Sequence, residues 1–127
     1  MNTAPESTRR FAIRYTGANK AMALIGLRPS NSHVVVGPTD VTIHMGWAFH
    51  TSIPRTSITA AEDDHDRVLG WGVHGWRGKW LVNGSSTQIV RLTVEPATRG
   101  RVAGFPVRVQ QVRVSVEDPS GLIAALG

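Results

Sequence analysis

Residues 89–126 of the chain are IVRLTVEPATRGRVAGFPVRVQQVRVSVEDPSGLIAAL. Apolar and polar residues alternate over 89–95 and again over 107–116, as in strands that bury one face. The apolar positions change parity at Gln110 and Gln111, so we expect a β-bulge there. The stretch therefore predicts two long strands, one of them bulged.

A short helix is predicted immediately after these strands. Asp118 can cap a helix whose first residue is Pro119, where a missing N–H costs nothing. Three apolar residues then lie along one stripe of that helix: Leu122, Ile123 and Leu126. A helix of this length is not stable alone. It must dock on the strands, and we expect it to close an open end of a barrel.

Seven shorter runs with strand-like patterns precede this stretch, at residues 11–15, 33–36, 41–45, 47–53, 56–59, 68–73 and 79–82. Residues 37–40 and the pair Asn83 and Gly84 carry turn chemistry and predict hairpins. Pro96 is expected to end the next strand, with a turn at 98–100. The chain is thus predicted to be mainly β, an antiparallel barrel or sandwich of about seven strands or more.

The length of 127 residues fits one domain, which we assign to residues 10–127, after a disordered tail at 1–9. Helix formers over 19–27 predict a short N-terminal helix. The chain has no cysteine, which excludes disulfides, a thiol nucleophile and a zinc–thiolate site, and fits the reducing cytoplasm. No apolar run is long enough for a transmembrane segment.

The net charge is +5, carried by arginine far more than by lysine. Excess positive charge favours anionic partners. The basic residues are spread along the chain, however, and no short window holds five of them. This dispersion disfavours a nucleic-acid partner.

The segment from residue 70 to residue 80 is the most unusual in composition, with three of the four tryptophans, several glycines and two cations. Its G-x-G-x-x-G match is not followed by a helix, so it does not predict a dinucleotide site. Tryptophan faces beside cations can hold an anion or a protein partner. The candidate binding residues are His74, Trp76, Arg77, Lys79 and Trp80. The alternative is that the tryptophans fill the barrel and the glycines sit at its corners.

Metal and catalytic sites find little support in the sequence. His44 and His50 share strand parity, but nothing pairs with them at ligand spacing. Residues 61–66 form an acidic stretch that we interpret as a solvated loop without the ligand spacing of a calcium site. We therefore predict no catalytic residue, no metal and no cofactor.

The final strand, the Asp118-Pro119 pair and the helix after it resemble the end of bacterial pleckstrin-homology-like domains. The run Ile53-Pro54-Arg55-Thr56-Ser57-Ile58 resembles a strand of the same domains. Over the range 34–126 the chain is similar to small uncharacterised actinobacterial proteins. This resemblance implies a bent antiparallel barrel of about seven strands, closed by a C-terminal helix and used for lipid, peptide or protein binding.

These patterns together predict a non-catalytic binding or scaffold module for a protein or an anionic ligand. One alternative is a small-ligand carrier whose barrel mouth is lined by Trp71 and Trp76. A nucleic-acid-binding protein and a small enzyme remain further alternatives. Lipid head-group recognition is disfavoured, because the hairpin turn at 37–40 carries no lysine or arginine.

Overall fold

The computed structural model describes residues 8–15, 26–27, 29–65, 72–83, 85 and 87–127. These residues form a mainly β structure with nine strands, one α-helix and two 3₁₀ helices, at Pro29–Asn31 and Arg55–Ser57. The elements are β1 (Arg9–Ala12), β2 (Ser32–Val36), β3 (Asp40–Met45), β4 (Phe49–Pro54), β5 (Ile58–Asp64), β6 (Gly72–Trp76), β7 (Lys79–Asn83), β8 (Ile89–Val102), β9 (Phe105–Ser115) and α1 (Pro119–Leu126). None of the described residues forms a helix with the length and apolarity needed to cross a bilayer.

The start of the chain is described only in part. Strand β1 begins at Arg9, one residue before the expected domain start. The predicted helix over 19–27 lies outside the described residues, apart from Gly26 and Leu27.

All nine strands belong to one curled sheet. Their order is β1-β2-β3-β4-β8-β9-β7-β6, and β5 pairs with β8 off this path. Strands β1 to β4 form an antiparallel meander. The hairpin predicted at 37–40 is confirmed, since the Gly37 amide donates to the Asp40 carbonyl oxygen at 2.8 Å.

Strand β8 is longer than predicted, and the expected stop at Pro96 is wrong. The pairing of β8 with β9 shifts between Thr93 and Thr98, where five steps along β8 face two along β9. Proline is tolerated at such an irregularity because no ladder hydrogen bond is needed from it. The predicted turn at 98–100 is therefore also wrong. The chain turns instead at 103–104, where Gly104 has a φ of +87°.

The bulge predicted in β9 is confirmed. The Gly78 carbonyl oxygen accepts hydrogen bonds from the amides of both Gln110 (2.8 Å) and Gln111 (3.2 Å). Two residues of one strand thus face one position of its neighbour. The buried positions accordingly change parity between Val109 and Val112.

The hairpin predicted at Asn83 and Gly84 is not formed between β7 and β8. Strand β7 instead pairs in parallel with β9, and antiparallel with β6. The turn between β6 and β7 lies at Arg77 and Gly78, both with positive φ, as a two-residue hairpin turn requires. Strand β9 thus pairs with β8 along one edge and with β7 along the other. Because the pairing with β7 is parallel, the sheet is not purely antiparallel.

The sheet curls so that the residues after its first strand, β1, meet the residues after β9. Ile13, just after β1, forms a bridge with Val116, just after β9. The Arg14 amide donates to the Ser115 carbonyl oxygen at 2.9 Å, and the Glu117 amide donates to that of Ala12 at 3.0 Å. One face of the sheet thus encloses the apolar core.

The predicted C-terminal helix is confirmed. The Asp118 side chain accepts a hydrogen bond from the Gly121 amide at 3.0 Å, and Pro119 opens the helix. Leu122 is fully buried, whereas Ile123 and Leu126 are half-buried against the core. Leu122 is therefore the main anchor of the helix.

Replacing Leu122 by alanine should lower the free energy of unfolding by about 2–5 kcal/mol, because it removes a fully buried side chain. Leu126→Ala should cost less, since Leu126 is half exposed already. Chemical denaturation of both variants measures the difference. Equal unfolding midpoints for Leu122→Ala and the parent chain would show that the helix does not dock through this residue.

Candidate functional site

The outer face of the sheet, opposite the core, carries a row of imidazole side chains. His33 of β2 is paired in register with His44 of β3, and His44 with His50 of β4. His50 is in turn paired with Arg101 of β8. We call His33, His44 and His50 the histidine row. The sequence indicated only that two of these residues share strand parity, because the pairing of three strands decides which residues become neighbours.

The ring of His44 lies within contact distance of the rings on both sides of it, those of His33 and His50. The ring centroids of His33 and His44 are 5.5 Å apart with the planes 20° from parallel, and those of His44 and His50 are 5.6 Å apart in an edge-on arrangement. No group of three His, Cys, Asp or Glu side chains in the described part of the chain is arranged to hold a metal ion.

Burial makes two of these rings harder to protonate. It lowers the pKa of His33 below the usual 6.5, and the charges of Arg10 and His44 lower it further. Burial also lowers the pKa of His44, with a smaller contribution from His50. Both imidazoles are therefore neutral at pH 7, each with one donor and one acceptor nitrogen.

Arginines surround the histidine row. Arg10 is paired with Val35, which is paired with Thr42, in the next row of the same face. On β8 and β9, Arg99 is paired with Arg108. The basic face, as we define it, comprises Arg10, His33, His44, His50, Arg99, Arg101 and Arg108. Among the described residues, no carboxylate oxygen lies within 4 Å of these four arginines.

A shallow groove crosses this face. Its first part is lined by His50, Ser52, Arg99 and Arg101. Two adjoining depressions extend it past Arg99 and Arg108 and then to Lys79, with Gln110 and Gln111 beside it. Glu95 is the one acidic residue that lines the described parts of the groove.

In the segment predicted to bind a partner, the two cations lie on the surface, whereas Trp80 packs against the core. Arg77 and Lys79 are exposed at the turn between β6 and β7, and Lys79 lies at the end of the groove. Trp80 is half-buried, and its Nε1 donates to the Arg108 carbonyl oxygen at 2.8 Å. Its ring lies 6.4 Å from that of Phe49, so Trp80 packs against the core.

The other candidates of this segment are described less fully. His74 and Trp76 belong to β6, but their side chains lie outside the described part of the structure. Trp71, expected at a barrel mouth, also lies outside it.

The acidic stretch predicted as a solvated loop is a strand as far as Asp64, and that prediction is wrong there. The Asp64 side chain is only 1% exposed and accepts a hydrogen bond from Arg113 Nε at 2.5 Å. Arg91 Nη1 lies 3.7 Å from the same carboxylate, and Arg91 Nη2 lies 3.3 Å from Glu62. These ion pairs join β5, β8 and β9. The negative charge of Asp64 is therefore neutralised by two arginines, Arg91 and Arg113, that are distant from it in the sequence.

No protein-family model, curated protein or solved structure matched the chain. The chemistry of the basic face therefore carries the functional inference.

Asp64→Ala should destabilise the protein by about 2–4 kcal/mol, because it leaves two guanidinium groups without their buried counterion. Glu62→Ala is the matched control on the same strand. Its carboxylate is 54% exposed and also faces Arg91, so its removal should cost less than about 1 kcal/mol. Urea denaturation compares the two. Equal losses would contradict the structural role of Asp64.

Proposed function

We propose that this protein is a non-catalytic binding module whose basic face holds an anionic partner. The observation that carries this proposal is that Arg10, Arg99, Arg101 and Arg108 lie on one sheet face and that none of them forms an ion pair with a described carboxylate. Guanidinium groups form paired, charge-assisted hydrogen bonds with phosphate and carboxylate oxygens.

The groove supports a partner with several charges rather than one. Cations follow one another along it from Arg101 and Arg99 to Arg108 and Lys79. Each exposed pair of opposite charges contributes little alone, so a series of contacts is needed for useful affinity. An extended polyanion or an acidic segment of a protein satisfies this requirement.

The depressions described on this face are open to solvent and not enclosed, which favours a surface binder over the carrier alternative. We also propose a pleckstrin-homology-like identity, supported by the curled sheet and the helix anchored by Leu122. A cytoplasmic location is proposed from the absence of cysteine.

The double variant Arg99→Ala/Arg108→Ala should weaken binding of inorganic polyphosphate by about tenfold or more, because it removes two facing cations from the middle of the groove. Fluorescence anisotropy with labelled polyphosphate at fixed ionic strength measures the change. Affinity of the parent chain should fall as salt is added.

The matched control for this experiment is Arg77→Ala/Lys79→Ala, which removes the same charge from the segment first predicted as the site. It should weaken binding less, since only Lys79 lines the groove. If this variant loses binding while Arg99→Ala/Arg108→Ala keeps it, the site is the turn between β6 and β7 and not the basic face.

Polyphosphate affinity should rise as the pH is lowered from about 7.5, with most of the rise below the usual histidine pKa of 6.5. The lowered pKa values keep His33 and His44 neutral at the upper pH, and their protonation in acid adds positive charge. Those charges appear between Arg10 and Arg101, where a polyanion compensates them. Titrations at several pH values test this, with His33→Gln/His44→Gln as the comparison. An identical rise in that variant would exclude the histidine row as its source.

A further inference from the structure

We infer that the partner of the basic face is a single-stranded nucleic acid, whose phosphates contact the arginines and whose bases contact the histidine row. This inference rests on the proposed function and names its ligand. The evidence is the juxtaposition of three imidazole rings and several guanidinium groups without carboxylate partners on one open sheet face.

The histidine row offers ring surfaces on which bases can stack, and a polyanion without bases makes no use of them. His33 and His44 are half-buried, and His50 is exposed, so all three rings are within reach of a ligand on the sheet. Aromatic side chains on the central strands of an open sheet stack unpaired bases, and histidine is among the residues used. A neutral imidazole also has one donor and one acceptor for base edges.

The arginines supply the contacts for a phosphate backbone. Arg101 directly follows His50 in the same cross-strand row, and Arg99 and Arg108 extend the positive charge along the groove. Thr42 and Ser52 lie in the row next to the histidine row, the one that Arg10 begins, and their hydroxyl groups can donate to phosphate or sugar oxygens. A strand laid across β2, β3, β4 and β8 meets rings first and guanidinium groups next.

Two further exposed rings lie at the turns on one end of the sheet. Phe105 is 73% exposed and precedes Pro106, which is paired with Arg101. Trp47 is 57% exposed in the turn between β3 and β4. The two turns are joined by a hydrogen bond from the Ala103 amide to the Ala48 carbonyl oxygen at 2.9 Å. Bases that extend past the sheet edge would find stacking surfaces there.

The shape of the face favours a single strand over a duplex. Sequence-reading proteins place a helix or a protruding ribbon in the major groove of a duplex. In the described part of the chain, the single α-helix packs through Leu122 onto the core, and the basic face is an open sheet. Unpaired bases can lie flat on such a surface.

The test uses the full chain and fluorescence anisotropy with labelled 15-nucleotide oligo(dT) and oligo(rU). Competitors are unlabelled duplex DNA, inorganic polyphosphate of equal charge, and phosphatidylserine/phosphatidylcholine vesicles. Polyphosphate, duplex DNA and vesicles should each displace the labelled oligonucleotide less effectively than unlabelled oligonucleotide does. Loss of a stacking side chain should weaken oligonucleotide binding about fivefold or more.

The decisive variant is His50→Ala, since His50 is exposed and its removal leaves the core intact. It should weaken oligonucleotide binding at pH 7.5 by a larger factor than polyphosphate binding, because only the oligonucleotide has bases that stack on the ring. His44→Gln should act in the same direction. The matched control is His65→Ala, an exposed histidine that follows β5 and lies off the basic face.

The outcomes separate this inference from the proposed function. If polyphosphate competes as well as oligonucleotide and His50→Ala changes neither, the nucleic-acid inference is overturned while the anion-binding function stands. If vesicles alone bind and Phe105→Ala abolishes that binding, a lipid surface replaces nucleic acid as the partner. If the protein binds none of the three probes (oligonucleotide, polyphosphate and vesicles), both proposals fail.

Discussion

The pairing of β8 with β9 is the interaction on which the rest of the sheet depends. These two strands run together from Ile89 opposite Ser115 to Val102 opposite Phe105. Because β8 changes register between Thr93 and Thr98, its other edge holds β5 along one half and β4 along the other. Strand β9 likewise offers its far edge to β7. Without this hairpin, the β1–β4 meander and the β6–β7 hairpin would have no common partner.

The basic face follows from the same geometry. Pairing of β4 with the far end of β8 places Arg101 beside His50, so arginines that are dispersed in the sequence meet the histidine row. The positive charge of this face is not neutralised by the described ion pairs, and the reason is structural. Among the described residues, the acidic side chains of Asp64, Glu62 and Glu117 are engaged by other arginines, at the far half of β8 and near the closure of the sheet.

Local patterns were enough to predict the strand type, the bulge at Gln110 and Gln111 and the helix capped by Asp118. Each depends on residues that are neighbours in the chain. The histidine row, the burial of Asp64 and the parallel pairing of β7 were not predictable in this way. They depend on which strands become neighbours and in what register, and periodicity within a strand contains no such information. Sequence reasoning therefore found Lys79 but overlooked Arg99, Arg101 and Arg108 as parts of one surface.

The bridge between Ile13 and Val116 has a consequence for how the protein is made. Strands β2, β3 and β4 can pair as soon as they leave the ribosome, because each contacts its neighbour in the chain. The segment after β1, in contrast, has to wait for a partner that is translated about a hundred residues later. The native sheet can close only after Val116 has been synthesised, so the nascent meander must remain soluble with its apolar face uncovered until then.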